Sequence, residues 1–418
     1  MLGFTLLTAV LGSNANQRAD EMLHISGGKF ACRIDLPEWK RFYESYWACR
    51  SYASSCDILN LREDLYALVL TNHSRVLECN VGVIAGYALI GQTAVHAQDV
   101  SLAYRSYQMA MVFIYTLRTK QRIPIQQELL WRVSTDDIIS KIQALRMHFN
   151  YATESPIVHV STNNERIGLV SICAYPDNHP LILKDITPVN RETYTSRHKY
   201  KAIVVKTHPF GLGSNVCIQH SKLALMHSLL ESGLYDWLMW LDCDSIIVNQ
   251  ERKVSHIIER YSTADTHILM TEELLGLSSA NWIIRNSEWS REFLKRAFHV
   301  ANHELPYFGD QDAIISLAMG RGVLDSHFRI IPQGEINTYD ALNAFYMGSR
   351  SYDVGDFLIT FPQCKDVACN ELFQTAFNAS SDSAKSILNT PIEERSWTQL
   401  RVFGPGEVVA KLYQQYTK

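Results

Sequence analysis

The sequence predicts an α/β protein with a mainly parallel sheet, preceded by a mostly helical N-terminal region. From about residue 165 onward, short apolar segments alternate with helical segments, which is typical of βαβ units. Before that point, residues 16–150 carry apolar side chains at three- and four-residue spacing with few helix breakers. A third observation is an apolar strand that ends abruptly in two carboxylates, described below.

Length and composition narrow the classes of protein to consider. The 418 residues suffice for two domains, or for one large domain with an extension. Hydrophobic residues make up 47% of the chain and charged residues 20%, which predicts a sizeable core. The formal net charge of −4 gives no general attraction to nucleic acid or anionic lipid, so we expect no nucleic-acid partner.

We predict four segments along the chain. Residues 1–15 contain the short apolar run Leu2–Gly12, followed by small residues of the kind that signal peptidase cleaves. This run is a degenerate signal peptide, the remnant of a membrane anchor, or simply a first helix. Residues 16–150 form the helical region, 151–385 the α/β domain and 386–418 a C-terminal extension. A membrane association would come through the N-terminus, since no other segment is long and apolar enough to span a bilayer.

The N-terminal region contains two clear helical patterns, at Ser101–Leu117 and Gln126–Phe149. Aromatic and methionine side chains inside the first pattern are predicted to form a helix core. They are Tyr104, Tyr107, Met109, Met111 and Phe113. The region shows no motif that points to chemistry, and its role as stem, acceptor platform or partner surface stays open.

The α/β segment has its elements in alternating order. Strands are predicted at Ile167–Ala174, Ala202–Lys206 and Trp237–Leu241, and helices at Pro188–Tyr200, Gln219–Glu231, Ser287–Val300 and Gln311–Met319. The three strands make a nucleotide-binding half of Rossmann type. A GxGxxG fingerprint and a P-loop are both missing from the sequence, so it indicates neither a dinucleotide nor a kinase-type phosphate cradle.

The most informative stretch is Tyr235–Asn249, in which an apolar run ends in Asp242 and Asp244. Carboxylates at the C-terminal end of a buried strand lie where open α/β sheets bind their ligands. Carboxylate oxygens suit Mn²⁺ or Mg²⁺, which usually accompanies a nucleotide diphosphate. A D-x-D triplet is also common in surface turns, and the chain contains a second one at Asp310–Asp312.

Nine cysteines and two sequons bear on the cellular compartment. Four cysteines cluster near the N-terminus (Cys32, Cys49, Cys56 and Cys79), and Cys364 and Cys369 form a close pair. In a secretory compartment these would form disulfides, whereas in the cytosol they would be buried thiols. Glycosylation sequons at Asn72 and Asn378 favour the secretory interpretation and predict a glycoprotein.

Several short motifs follow one another in a recognisable order. They are Asn190–Tyr194 with Arg197–Tyr200, Ser221–Leu223, Leu241–Ser245, Trp282–Ser290, Gly309–Ala313, Pro332-Gln333 with Asn337–Tyr339, and Gly355–Lys365. This series resembles glycosyltransferase family 34, which contains fungal galactosyl- and mannosyltransferases and plant xyloglucan xylosyltransferases. The resemblance covers about residues 165–370. It implies a GT-A fold, a nucleotide-sugar donor, a glycan or glycoprotein acceptor, retention of the anomeric configuration and a Golgi location.

The resemblance also implies roles for individual residues. Asp244 matches the direct metal ligand, and Asp242 would reach the metal or the donor ribose. Lys365 matches the position that contacts the diphosphate, and Lys222 would contact the nucleotide. A solvated surface lysine is the alternative for both lysines.

Four further residues are predicted near the sugars. Asp310 and Gln311 match an acid–amide pair beside the donor sugar and are the predicted catalytic residues. The alternative for Asp310 is a plain helix N-terminus, where Asp is favoured. Ser278 and Asn281 lie in and beside a loop that faces donor and acceptor sugars in the family, so we predict that they bind the nucleotide sugar.

The sequence departs from the family at the metal site. Thr360 stands where the family carries a histidine, the third protein ligand of the metal, so affinity for Mn²⁺ or Mg²⁺ should be weakened. Cys243 replaces a usual serine and is predicted to be a small buried residue. The leading hypothesis is a retaining glycosyltransferase that moves galactose, mannose or xylose from a UDP- or GDP-sugar. The alternative is a non-catalytic protein that binds glycans or nucleotide sugars, because Thr360 removes a metal ligand.

Overall fold

The computed structural model describes residues 37–51, 56–71, 80–120, 138–142, 144–145, 165–211, 214–273, 276–304, 309–320, 322–346, 349–362, 364 and 367–380. The chain divides into two compact units. The first comprises Met1–Thr153, Leu274–Gly276 and His299–Leu324, and the second comprises Glu154–Glu273, Leu277–Phe298 and Asp325–Lys418. Residues 299–324 thus cluster with the first unit, although they lie inside the predicted segment 151–385.

The first unit is helical, as predicted. Its helices are α1 (Pro37–Ser51), α2 (Ile58–Thr71), α3 (Asn80–His96), α4 (Val100–Lys120), a π-helical turn at Val300–Glu304 and α9 (Asp310–Ala318). The aromatic and methionine side chains predicted for the core of α4 are all at most 5% exposed. Most of the predicted helix Gln126–Phe149 lies outside the described residues.

Two local features hold these helices together. The disulfide Cys49–Cys56 joins the end of α1 to the start of α2. Gly91 lets α3 approach α4 closely, because a β-carbon there would lie 2.9 Å from the Tyr107 ring. Helix packing therefore depends on small residues in α3 as well as on the apolar faces.

The second unit is built on a six-stranded mixed sheet in the order β2-β1-β3-β8-β5-β9. The strands are β1 (Ile167–Ile172), β2 (Lys201–Val205), β3 (Trp237–Leu241), β5 (Ile268–Met270), β8 (Asn281–Arg285) and β9 (Phe328–Ile330). β1 pairs in parallel with both β2 and β3, whereas β8 is antiparallel to β3 and β5. The predicted Rossmann-like half of GT-A type is confirmed by this parallel β2-β1-β3 part and its covering helices.

A small second sheet in the order β10-β11-β4 lies in the same unit. It contains β4 (Ser245–Ile247), β10 (Thr338–Tyr339) and β11 (Leu358–Thr360), and Thr360 pairs with Ser245. Two-residue strands occur at β6 (Glu272–Glu273) and β7 (Gly276–Leu277). The small sheet bears on the site because its strand β4 begins at Ser245, directly after the carboxylate motif.

Helices of the second unit are α5 (Leu183–His198), α6 (Ile218–Glu231), α7 (Val254–Tyr261), α8 (Glu288–His299), α10 (Val323–His327), α11 (Gln333–Ile336), α12 (Ala341–Tyr346) and α13 (Val367–Ala379). Helix α10 begins in the first unit and ends in the second. None of the described helices combines the length and the apolarity that crossing a bilayer requires.

The predicted start of α5 is wrong. The helix begins at Leu183, five residues before the predicted Pro188, so Pro188 lies inside it. A proline there removes one backbone hydrogen bond, which usually ends or kinks a helix. Burial of Leu183, Ile186 and Thr187 at 9% exposure or less offsets that loss. The extra turn places Thr187 within hydrogen-bond distance of the Cys243 carbonyl in the carboxylate motif.

Candidate functional site

The candidate site starts from the buried strand β3. All five of its residues are at most 3% exposed, as the apolar run predicts for a strand covered on both faces. The strand ends at Leu241, and a tight turn follows in which the Ser245 amide donates to the Asp242 carbonyl at 3.1 Å. Asp242, Cys243 and Asp244 thus form the loop at the C-terminal end of a parallel strand, where open sheets bind their ligands.

Side chains of helix α5 donate hydrogen bonds to the backbone of this loop. Thr187 donates its hydroxyl hydrogen to the Cys243 carbonyl at 2.7 Å. Arg191 donates from Nη2 to the carbonyls of Asp242 at 3.2 Å and Ser245 at 2.9 Å. Two carbonyls of this loop and the first carbonyl of β4 are therefore satisfied by two side chains of one helix, which holds the loop without using its carboxylates.

Arg191 also supplies the positive charge beneath the loop. Its side chain is fully buried, and Nη1 donates to Asn190 Oδ1 at 2.7 Å. Burial lowers the pKa of Arg191 to about 9, while Asp244 and Asp242 act to raise it. The guanidinium therefore stays charged at neutral pH and partly balances the two carboxylates.

Asp244 is the group in the loop that most needs a cation. Its Oδ1 is buried and accepts no hydrogen bond from the residues that the structure describes. Burial and the neighbouring Asp242 carboxylate raise the pKa of Asp244 well above its ordinary value. A buried carboxylate oxygen without a donor costs free energy unless a positive ion binds it. Asp244 consequently fits the predicted role of a direct ligand to a hard divalent cation.

Asp242 is held differently. Its Oδ1 accepts a hydrogen bond from Trp240 Nε1 at 2.7 Å, and Lys222 Nζ lies 3.6 Å from the same oxygen. Lys222 is 4% exposed and also donates to the Ser279 carbonyl at 2.9 Å. The structure thus brings Lys222 to the carboxylate motif, and the alternative of a solvated surface lysine is wrong.

Cys243 is buried, as predicted, but it is not a free small residue. Its sulfur forms a disulfide with Cys173, 70 residues earlier in the chain. Cys364 and Cys369 also form a disulfide, whereas Cys217 is an exposed free thiol. Cys32 and Cys79 lie outside the described residues. The correction at Cys243 matters most, because this disulfide lies between the two carboxylates.

Thr360 lies in a buried hydrogen-bond network beneath the loop. It is 1% exposed, and its Oγ1 accepts from Asn281 Nδ2 at 2.8 Å and lies 3.1 Å from Ser245 Oγ. Asn281 also donates to Asn337 Oδ1 at 2.7 Å, and its own Oδ1 accepts from Ser245 at 3.0 Å. Thr360 at the histidine position therefore bonds to protein groups and supports the start of β4.

Ser278 and Asn281 have structural partners of their own. Ser278 is 1% exposed and lies 3.2 Å from the Tyr339 hydroxyl, which donates to Glu273 at 2.5 Å. Burial, followed by the Glu273 charge, raises the pKa of Tyr339 well above its usual value. Asn281 is fully buried and uses both amide hydrogens inside the protein. Direct contact of Ser278 or Asn281 with a nucleotide sugar stays a prediction.

The remaining predicted residues belong to the first unit or fall outside the described residues. Asp310 and Gln311 begin α9 in the first unit, and Asp310 is 5% exposed at the helix start. Asp242, Asp244 and Lys222 belong to the second unit. Lys365 lies outside the described residues. The catalytic role of Asp310 and Gln311 and the diphosphate contact of Lys365 stay predictions.

Sequence reasoning assigned no role to Thr187, Arg191 or Trp240, although Arg191 lies in the motif Asn190–Tyr194 and Trp240 in the apolar run before Asp242. Trp240 could have been found, since residues two apart on a strand share a face and Asp242 follows it by two. Arg191 and Thr187 could not, because nothing in a single sequence shows which carbonyls a helix will contact. The described residues contain no group of three or more His, Cys, Asp or Glu side chains that could hold a metal ion. The two carboxylates are thus the candidate protein ligands in the described part of the chain.

Replacing Thr360 by valine should lower the free energy of unfolding by about 1–3 kcal/mol, because Asn281 and Ser245 lose a buried hydrogen-bond partner. Affinity for Mn²⁺ should not change, since the hydroxyl bonds to protein groups. Urea denaturation and calorimetric titration with Mn²⁺ measure the two quantities. Thr193→Val on the exposed face of α5 is the control and should shift stability by about 0.5 kcal/mol at most. A fall in Mn²⁺ affinity in Thr360→Val would contradict this placement of Thr360.

Comparison with known proteins finds sequence similarity to galactosyltransferases. Residues 258–371 match the family model of the galactosyl transferase GMA12/MNN10 family, glycosyltransferase family 34. An alpha-1,2-galactosyltransferase of Schizosaccharomyces pombe and an uncharacterized alpha-1,2-galactosyltransferase of that yeast are each 21% identical, over 42% of this chain and 54% of their own length. The chain therefore spans about half the length of these curated relatives.

Solved structures with some similarity are also glycosyltransferases. One is a glycosyltransferase involved in the glycosylation of the major capsid of PBCV-1, at 13% identity and a TM-score of 0.40, covering 50% of this chain and 98% of that chain. Another is the glycosyltransferase GlyE of Streptococcus pneumoniae TIGR4, at 14% identity and a TM-score of 0.35, covering 59% of this chain and 66% of that chain.

Proposed function

We propose that this chain, which belongs to glycosyltransferase family 34, is a retaining glycosyltransferase. It would move a galactose, mannose or xylose unit from a UDP- or GDP-sugar to an oligosaccharide or glycoprotein acceptor, assisted by Mn²⁺ or Mg²⁺. The observation that carries the proposal is the Asp244 carboxylate. It follows the C-terminal end of a buried parallel strand, and one of its oxygens is buried without a hydrogen-bond donor among the described residues.

The chemistry explains why these residues are needed. Cleavage of a nucleotide sugar builds negative charge on the departing diphosphate, which a bound divalent cation stabilises as a Lewis acid. Asp244 and Asp242 would hold that cation, and Trp240 and Lys222 orient Asp242 through its Oδ1. Arg191 keeps the loop backbone rigid, so the ligands need little reorganisation when the donor binds.

The other predicted residues complete the proposal. Asp310 and Gln311 would bind hydroxyl groups of the donor sugar and stabilise positive charge at the anomeric carbon. Lys365 would add positive charge at the diphosphate. Ser278 and Asn281 would shape the sugar-facing loop, either by direct contact or through their buried hydrogen bonds.

One observation favours a second candidate function. Thr360 occupies the position of the third metal ligand and bonds to Asn281 and Ser245, so the described residues provide two carboxylates and no imidazole. A protein that binds the nucleotide sugar or a glycan without transferring the sugar needs less metal chemistry. The enzyme remains the first proposal, and the approach of Lys222 to within 3.6 Å of Asp242, one residue before Cys243 and two before Asp244, supports it.

We further propose a secretory, Golgi-type location, with membrane association through the N-terminus. Disulfides persist in oxidising compartments, and the described residues contain three of them. The sequon at Asn378 supports the same compartment, and the sequon at Asn72 lies outside the described residues. Fractionation of cells that express the tagged chain tests this location, and a cytosolic pool with free thiols would contradict it.

The intact chain should release UDP or GDP from at least one nucleotide sugar when Mn²⁺ is present. A panel of UDP- and GDP-linked galactose, mannose and xylose is incubated with and without oligosaccharide acceptors, and free nucleotide is measured. A chelator should abolish the release, because the carboxylates then lack their cation. Donor binding by calorimetry without release from any donor would overturn the enzyme in favour of the binding protein.

A further inference from the structure

The Cys173–Cys243 disulfide is the one covalent cross-link at the carboxylate loop among the described residues. Cys173 follows β1 directly, and Cys243 stands between Asp242 and Asp244. Both cysteines are buried, at 1% and 7% exposure. Their α-carbons are 5.3 Å apart, although 70 residues separate them in the sequence. The cross-link thus joins the loop after β1 to the loop after β3.

This cross-link continues the connection of two strands beyond the point where their hydrogen bonds stop. The parallel ladder between β1 and β3 ends at Val170 and Trp240. Cys173 and Cys243 each lie three residues past that point, where parallel strands normally diverge into separate loops. The Cys173 amide also donates to the Val205 carbonyl at the end of β2, at 2.8 Å. The loop after β1 is therefore a fixed support for Cys243.

The hydrogen bonds of the loop do not restrain the Asp244 carboxylate directly. Thr187 and Arg191 bind backbone carbonyls, and Trp240 binds the carboxylate of Asp242. Within the described part of the chain, Asp244 Oδ1 has no such donor. The direction of the Asp244 carboxylate therefore depends on the backbone angles of residues 243 and 244. The disulfide restrains the first of these residues through its own side chain.

We propose that the Cys173–Cys243 disulfide is a positioning device for the metal ligands. It holds the loop so that Asp244 and Asp242 converge on one divalent cation with its nucleotide diphosphate. The proposal rests on the proposed function, because it concerns the same carboxylates. It adds that metal affinity depends on the oxidation state of two cysteines that do not touch the metal. Outer groups that orient metal ligands commonly change metal affinity by about 10- to 100-fold.

The link can be broken without changing the sequence. A dithiol reductant attacks one cysteine sulfur as a thiolate and forms a mixed disulfide, and its second thiol then displaces the protein sulfur. Two electrons pass to the protein. Cys173 and Cys243 become thiols, and the reductant becomes a cyclic disulfide. The reaction is followed by alkylation and mass measurement of the two cysteine peptides.

The test measures binding and needs no turnover. Mn²⁺ is titrated into the intact chain in the presence of UDP and, in a separate experiment, of GDP. The dissociation constant for Mn²⁺ is obtained by calorimetry or from its electron paramagnetic resonance signal. In the double variant Cys173→Ser/Cys243→Ser, the dissociation constant for Mn²⁺ should rise about tenfold or more. Nucleotide affinity in the presence of a chelator should not change. The matched control is Cys49→Ser/Cys56→Ser, which removes a disulfide of the helical unit and should leave Mn²⁺ affinity unaltered.

A second measurement covers the case in which the double variant does not fold. The wild-type chain is reduced by dithiothreitol, and Mn²⁺ affinity is compared with the fraction of Cys173 and Cys243 that becomes alkylated. Affinity should fall in proportion to that fraction. Unchanged affinity in the folded variant or in the reduced wild type would overturn the proposal and leave the proposed function standing. A wild-type chain that binds no Mn²⁺ with either nucleotide would overturn both.

Discussion

Asp244→Asn should reduce metal-dependent release of UDP or GDP by at least about 10²-fold, since asparagine removes the negative charge that the cation needs. The variant keeps the size of the side chain, so the loop should keep its backbone. Asp185→Asn on α5 is the matched control, because the Asp185 side chain is 66% exposed and no role at the metal is proposed for it. It should retain wild-type release. Initial rates at saturating donor and several Mn²⁺ concentrations separate weaker metal binding from slower cleavage.

Although Asp244→Asn should lower nucleotide release, it should not lower the stability of the metal-free folded chain. Burial and the Asp242 charge raise the pKa of Asp244 in the folded chain above its value in the unfolded chain. An acid with a raised folded pKa destabilises the folded state as pH rises through its unfolded pKa toward its folded pKa. Asp244→Asn removes that cost, so at neutral pH and without metal the variant should unfold at an equal or higher urea concentration than wild type. A lower urea midpoint, or release of UDP or GDP at the wild-type rate, would show that Asp244 is an ordinary structural aspartate.

The sequence predicted the parts of the fold that one local pattern determines. β3 was predicted with its observed ends, because Trp237–Leu241 is an unbroken apolar run that stops at a charge. The start of α5 was missed, because Pro188 locally disfavours a helix interior and only tertiary burial of Leu183 and Thr187 explains the earlier start. Local propensity is a weak guide wherever packing contributes more free energy.

The candidate site shows the same division. The position of Asp242 and Asp244 directly after a buried strand was predicted from the sequence, because the apolar run and the charges are adjacent there. The partner of Cys243 could not be found, since nine cysteines allow many pairings and sequence spacing does not select among them. Lys222 was recognised only through family resemblance, and its 3.6 Å approach to Asp242 depends on how α6 packs on the sheet. The sequence predicted that Thr360 replaces a metal ligand, whereas its hydrogen bonds to Asn281 and Ser245 became visible only in three dimensions.

Arg191→Met should cause the largest loss of stability, roughly 3–5 kcal/mol in the free energy of unfolding. Methionine fills similar space but has no donor, so the carbonyls of Asp242 and Ser245 and the side chain of Asn190 each lose a buried hydrogen bond. The two carboxylates also lose the buried charge that balances them. Urea denaturation of the metal-free protein, followed by tryptophan fluorescence, measures the change.

Two variants on the same helix decide whether the geometry of the guanidinium matters. Arg197→Met removes an arginine that pairs with Glu251 at the surface, and exposed pairs contribute about 1 kcal/mol at most. Arg191→Lys keeps the charge but cannot donate to both carbonyls and to Asn190 from one planar group, so its stability should fall between wild type and Arg191→Met. If Arg191→Met cost no more than Arg197→Met, the loop would be held by Thr187 and the Cys173–Cys243 disulfide alone. If Arg191→Lys matched wild type, charge without hydrogen-bond geometry would suffice to keep Asp242 and Asp244 in place.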